Sequence, residues 1–161
     1  MKRKEGQKLN KILVFVICLV LVYIASIAGS FFTSKTIASG WYDSIKPSIT
    51  PPNWVFPVVW NILFVLIAVS LYFAWTSSRS KKSRITIAIV FLVNLALNVL
   101  WSVFFFSMRN PLLGFFDLLV LWFSIVIMMA SLWKISRTSV YLLVPYLAWV
   151  SFAGVINFLA I

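Results

Sequence analysis

Apolar residues run almost without interruption along this chain, and the polar ones gather in short breaks between five long stretches. The stretches fall at about residues 9–32, 51–75, 85–108, 112–134 and 140–160. A hydrocarbon core about 30 Å thick and a helical rise of about 1.5 Å per residue make about 20 residues one crossing. Each stretch therefore predicts one transmembrane helix. Strand-like alternation is missing, and lipid leaves only helices or closed barrels as ways to satisfy the backbone. The expected fold class is an all-α membrane protein, with residues 1–161 forming a single five-helix transmembrane domain.

Each stretch has its own pattern. The first follows Lys2, Arg3 and Lys4, and Ser26-Ile27-Ala28 resembles a signal-peptide cleavage site. The apolar run continues well past signal-peptide length, which favours a retained helix. Ala25 and Gly29, beside Ser26 and Ser30, give small-xxx-small spacing that lets another helix approach closely. In the second stretch Trp60, Phe64, Ile67 and Leu71 recur at helical spacing, and Pro57 predicts a kink or loosened first turn. The third places Asn94, Asn98, Trp101 and Phe105 on one face. Arg109-Asn110-Pro111 is so short a turn that the third and fourth helices must be antiparallel neighbours. Asp117, Ser124 and Ser131 share a face of the fourth helix, and a carboxylate at that depth normally faces protein or water. The fifth carries Pro145, then Tyr146, Trp149, Ala153 and Asn157 along one side.

The break before the second helix differs from the rest of the chain. Residues 41–60 read WYDSIKPSITPPNWVFPVVW, with four prolines and three tryptophans. Pro47, Pro51 and Pro52 bias their predecessors toward extended backbone, so no continuous helix covers residues 41–50. Thr50 reads as an N-cap with Pro51 at the first helical position. Such a stretch is either a stiff, aromatic-bearing lid built on Lys46, Pro47, Pro51 and Pro52, or a wet linker whose Trp41 and Tyr42 sit at the membrane surface.

Composition strengthens the membrane reading. Hydrophobic residues make up 63% of the chain and charged ones 11%, too few to cover a soluble surface. A net charge of +11 raises nucleic acid as a partner, but the basic residues sit at the ends of the apolar runs and form no patch. Eleven of the fourteen Lys and Arg residues lie at the N-terminus and in the breaks after the second and fourth stretches. By the positive-inside rule the N-terminus is then cytoplasmic and the C-terminus outside, with the cytoplasmic membrane as the default location. Cys18 is the only cysteine, which excludes a disulfide within the chain, and histidine is absent.

Turned inward, these faces bring together Trp60, Trp101, Tyr146 and Trp149 with Asn94, Asn98, Asp117, Ser124 and Asn157. The result is either a pocket of flat aromatic surface with a few polar groups, opening beneath the Trp-Pro stretch, or a helix-packing core of large rings and interhelical amides.

Three motifs carry a resemblance. They are W-Y-x-x-I-K-P-x-x-T-P-P-x-W-V-F-P-V-x-W at residues 41–60, N-x-x-W-S-x-F-F at 98–105 and L-L-x-P-Y-x-x-W-x-x-F-A at 142–153, closed by Asn157. With five spans and this length, the chain resembles the TspO family of tryptophan-rich sensory and translocator proteins, the peripheral-type benzodiazepine receptors, and looks like a prokaryotic member. The resemblance implies a five-helix bundle, often a homodimer, that binds porphyrins and other tetrapyrroles, sterols and benzodiazepine-type ligands. It also implies that Trp41, Tyr42, Trp60, Asn94, Asn98, Trp101, Tyr146 and Trp149 bind the ligand. The chain departs from the family in having Asn94 where Gln is frequent and Phe64 where Tyr is frequent. It also ends Asn157-Phe158-Leu159-Ala160-Ile161 without the tyrosine and basic residue of the animal sterol motif.

The leading functional expectation is a membrane receptor or carrier for a tetrapyrrole such as protoporphyrin, with no required cofactor and no metal. Lack of histidine argues against an iron-ligating haem site. A second expectation, light- and oxygen-dependent degradation of protoporphyrin, has oxidisable indoles at Trp60 and Trp149. No nucleophile–base pair supports conventional catalysis, so no catalytic residue is assigned. A third is a transporter, although no internal repeat is evident and only Asp117 offers an intramembrane charge.

Overall fold

The computed structural model describes the backbone of residues 2–161 and the side chains from residue 10 onward. Among the described residues six α-helices follow one another: α1 (Lys2–Ala38), α2 (Trp41–Ile45), α3 (Val55–Ser77), α4 (Lys81–Ser102), α5 (Pro111–Leu132) and α6 (Arg137–Leu159). Five of them are long and apolar enough to cross a membrane, the short α2 being the exception. The all-α, five-span architecture read from the sequence is the one observed, and this is an integral membrane protein.

Neighbours in the bundle follow the cyclic order α1, α3, α6, α5, α4 and back to α1. Polar clasps fix it. At one end Ser70 on α3 and Ser139 on α6 each donate to the other's backbone carbonyl at 2.9 Å. Toward the other end Trp122 on α5 donates to Ser151 on α6 at 2.8 Å. The core is largely aliphatic, with Ile67, Ile87, Ile125, Met128, Leu132 and Leu143 fully buried.

Local chemistry sets the ends. Asn110 accepts from Leu113 N at 3.0 Å and Pro111 opens α5, the arrangement of a capped helix with proline at its first position. Arg109 turns the chain with a φ of 49°, so α4 and α5 are antiparallel neighbours, as the short turn requires.

Two local expectations are corrected. Helix α3 begins at Val55 with Trp54 as its N-cap, and Thr50 does not cap it. The reason lies in the Pro-Pro pair: Pro52 disfavours helical backbone at Pro51, so Pro51 cannot be a first helical residue. Residues 47–55 instead form two turns, with Thr50 N donating to Pro47 O and Val55 N to Pro52 O. Consequently Pro57 is the third residue of α3, where an N–H has no intrahelical partner anyway, and it costs the helix no bond.

The sequence pattern also misses a change of helical pitch. Beyond Ser102, α4 continues as a π-helical turn, Val103–Ser107, closed by Met108 N donating to Val103 O at 2.9 Å. Thr36 on α1 donates to the Phe106 carbonyl in this turn at 2.9 Å. The extra residue per turn re-aims Phe105 and Phe106, and both are buried at the end of the bundle that α2 covers.

Candidate functional site

A cavity of about 420 Å³ opens at the end of the bundle where α1 finishes and α3 begins. Its walls come from α1, α3, α4 with its π turn, and α6; α2 and the residues before α3 form the roof. Helix α5 contributes no wall but braces one. A methyl group added at Gly114 would stand 3.0 Å from the Phe105 side chain, so this position needs glycine to let the two helices close up.

One side is aromatic. Trp60 stacks on Phe64 at 5.4 Å and 28°, and Trp101 stacks on Phe105 at 5.4 Å and 19°. Tyr42, only 6% exposed, reaches down from α2 to pack edge-on against Phe56, Phe105 and Phe106. Burial holds its phenol above the usual tyrosine range.

The polar groups are few and fixed. Trp101 donates from its indole to Asn157 Oδ1 at 3.1 Å, and Asn157 donates to Pro111 O at 2.8 Å, tying α4, α5 and α6 together at the cavity end. Asn98 lines the cavity and donates to the Tyr146 hydroxyl at 3.3 Å. Tyr146 passes a proton bond to Asn94 Oδ1 at 3.2 Å, Asn94 to Ser124 Oγ at 2.8 Å, and Ser124 to Leu121 O at 2.7 Å. This directional chain runs from the cavity wall into the core, and each donor is used once.

The eight ligand-site residues named from the sequence thus divide. Tyr42, Trp60, Asn98 and Trp101 line the cavity. Asn94 and Tyr146 are fully buried beneath it in the hydrogen-bond chain. Trp41 packs edge-on against Phe105 at 5.6 Å, behind the wall. Trp149 packs on Phe56 at 5.8 Å, with its indole N–H buried and unbonded among the described residues. Asp117 is buried on α5 with Oδ2 likewise unbonded, away from the cavity wall. In the loop, Lys46 is exposed and donates to Asp43, whose carboxyl that bond holds below the usual range. Pro47, Pro51 and Pro52 lie in the roof segment and are not among the residues lining the cavity.

Sequence reasoning missed the α1 wall. Ser26, Ser30, Thr33 and Ser34 bring hydroxyls to the cavity, while Gly29 takes the close approach, with Ser102 Oγ 3.2 Å from where its Cβ would stand. Helical phase separates the two roles, because Ser26 and Thr33 lie to one side of the packed line of Val22, Gly29 and Thr36. Phe56, Phe105, Phe106 and Asn157 also line it.

The TspO/MBR family profile matches residues 16–160. The chain belongs to the TspO/MBR family. Among its relatives, Tryptophan-rich protein TspO of Chlorobaculum tepidum is 42% identical over 151 residues, covering 92% of this chain and 94% of that one. Tryptophan-rich protein TspO of Archaeoglobus fulgidus is 38% identical over 148 residues, with coverages of 91% and 94%. Translocator protein of Bos taurus is 31% identical over 141 residues, with coverages of 84% and 82%. Family membership therefore extends across nearly the whole bundle, including every wall of the cavity.

Proposed function

We propose that this protein is a membrane receptor or carrier that binds planar tetrapyrroles of the porphyrin type in the cavity between α1, α3, α4 and α6. Other flat apolar ligands of benzodiazepine or sterol-like shape fall in the same class. The observation that carries the reading is the lining itself: two stacked aromatic pairs on one side, with Asn98 and Asn157 as fixed polar points, around about 420 Å³. Small-molecule sites have volumes of about 300–1,000 Å³ and this mixture of apolar wall and sparse polar groups. Trp60 and Trp101 would stack on the macrocycle, and the Asn98 carbonyl, its amide already bonded to Tyr146, would accept from a pyrrole N–H.

Titration of the purified protein with protoporphyrin, haem and a sterol, followed by tryptophan quenching, tests this. Protoporphyrin should quench and saturate at one site per chain, and Trp60→Ala or Trp101→Ala should weaken it about tenfold or more, 1.4 kcal/mol per decade. Trp133→Ala, at the opposite end of the bundle, should change nothing. Equal losses from all three variants would place the site elsewhere.

The second reading, light-dependent degradation of bound porphyrin, keeps one supporting observation: Trp60 puts an oxidisable indole on the cavity wall. Loss of the porphyrin absorption bands in light and oxygen, abolished in Trp60→Phe, would favour it. The name of the bovine relative, Translocator protein, points to translocation, and movement of porphyrin across vesicles is the matching assay.

The proposal includes placement in the cytoplasmic membrane with the cavity end outward, supported by eleven of fourteen basic residues on the opposite side. A homodimer is included on the strength of the family resemblance.

A further inference from the structure

The cavity is not sealed from the side. Helices α1 and α3 touch at the end away from it, where Phe15 packs edge-on against Tyr72 at 5.5 Å. Toward the cavity end both helices line the cavity, and four of their lining residues are exposed: Ser30 and Ser34 on α1, Pro57 and Asn61 on α3.

Helical phase fixes where this rim faces. At about 100° per residue, Ser30 and Ser34 lie between the packed line of Gly29 and Thr36 and the outward line of Ile27 and Phe31. Ile27 and Phe31 are 68% and 58% exposed, as lipid-facing residues of a bundle are. On α3 the order repeats: Trp60 faces inward, Pro57 and Asn61 come next, and Val58 and Ile62 face outward at 49% and 56%. Because α1 and α3 run antiparallel, both sequences turn toward the same gap. Asn61 sits about 9 Å along α3 from its start and Ser30 about 12 Å from the end of α1, so the gap reaches into the hydrocarbon layer rather than stopping at the headgroups.

The rim is polar where lipid makes polarity costly. Asn61 donates to Pro57 O at 2.8 Å, its carboxamide oxygen has no partner among the described residues, and Ser34 bonds back to Phe31 O. Those groups offer a hydrogen-bonded stepping point to a flat apolar molecule with a polar edge.

We propose that the gap between α1 and α3 is a lateral portal through which ligand passes between the outer half of the bilayer and the cavity. The class of ligand is a planar amphiphile that partitions into lipid; for porphyrins this rests on the function proposed above. Water-side access past α2 is the alternative route. It is narrowed by Tyr42, buried against Phe56, Phe105 and Phe106.

Two measurements on the full chain in lipid nanodiscs decide it. The first needs no ligand: bimane attached to Ser26→Cys, in a Cys18→Ala background, reports what reaches the cavity. Lipids carrying a nitroxide on the acyl chain should quench it, aqueous iodide should not, and adding Ser34→Trp should relieve the lipid quenching. Quenching by iodide alone, or lipid quenching unaffected by Ser34→Trp, overturns the portal. The second delivers protoporphyrin from preloaded vesicles and follows tryptophan fluorescence. Ser34→Trp should slow association by about tenfold, the effect of about 1.4 kcal/mol on the entry barrier. Unchanged rates would sink the portal, and so would a changed Kd with unchanged association. If protoporphyrin does not quench the wild type at all, the proposed ligand fails, and the bimane measurement still decides the portal.

Discussion

Trp101 and Asn157 are joined across the cavity end of the bundle by an indole N–H that donates to the carboxamide oxygen at 3.1 Å. The same Asn157 side chain donates to Pro111 O at 2.8 Å, at the first residue of α5. One amide thus holds the ring of a cavity wall and the start of the helix behind it. A Trp indole in an apolar bundle keeps one orientation when its single donor has a partner.

Replacing Asn157 with Leu removes both bonds while keeping the volume. The Trp101 N–H and Pro111 carbonyl lose their partner, which should cost about 1–3 kcal/mol. The expected result is a lower Tm in detergent together with weaker porphyrin quenching, because Trp101 is free to rotate. A fall in Tm with unchanged quenching would confine Asn157 to holding helices together.

Tyr146 separates stability from binding. Its hydroxyl accepts from Asn98 and donates to Asn94, beneath the cavity and with no exposed surface. Tyr146→Phe leaves the Asn98 N–H and the Asn94 carbonyl unsatisfied, which should lower stability by about 1–3 kcal/mol. Affinity for protoporphyrin should change by less than about threefold, or about 0.6 kcal/mol, since the ring stays in place. A larger loss of affinity at unchanged stability would move Tyr146 from the support to the wall.

The contrast between Tyr146 and Trp101 marks how far the sequence could be read. The number of spans follows from apolar length, because lipid admits only helices or closed barrels and the strand alternation of a barrel is missing. The inward faces of α3, α4 and α6 follow from helical spacing. What spacing cannot resolve is depth: Asn94 and Asn98 lie on one face a turn apart, yet one is sealed in the core and the other meets the cavity. The π turn has no local signal in Val-Phe-Phe-Phe-Ser, so the aim of Phe105 and Phe106 was hidden. The serines of α1 carried a signal that pointed two ways, since small residues serve both close packing and an open wall. The start of α3 was legible and misread, because Pro52 acts on Pro51 just as Pro51 acts on Thr50.

Orientation is open to direct chemistry. In a Cys18→Ala background, a cysteine at Ser39, which is exposed between α1 and α2, should react from outside intact cells with an impermeant thiol reagent. A cysteine at Ser80, exposed at the N-cap of α4, should stay protected until the membrane is opened. The reverse pattern would overturn the placement drawn from the basic residues.

The roof gives the last prediction. Residues 47–54 hold two turns and three prolines, and α2 just before them presses Tyr42 onto the aromatic wall. Proline restricts the free chain, so a stiff roof loses little entropy when it closes over a ligand. Lys46 is engaged by Asp43 at the surface, so its contact with a porphyrin carboxylate should be weak and screened by salt. Lys46→Ala should therefore weaken a dicarboxylate porphyrin slightly and its dimethyl ester not at all. Pro51→Gly with Pro52→Gly should act differently, raising the dissociation rate of both ligands several-fold by opening a path to water past Tyr42. If the side gap is the normal route, adding Ser34→Trp to this pair should leave fast exchange intact, whereas Ser34→Trp alone slows it. Stopped-flow dissociation into excess acceptor vesicles reads all four variants at matched expression and Tm. Unchanged dissociation in the double-glycine protein would reduce the Trp-Pro stretch to a connector, leaving Tyr42 alone to close the cavity from above.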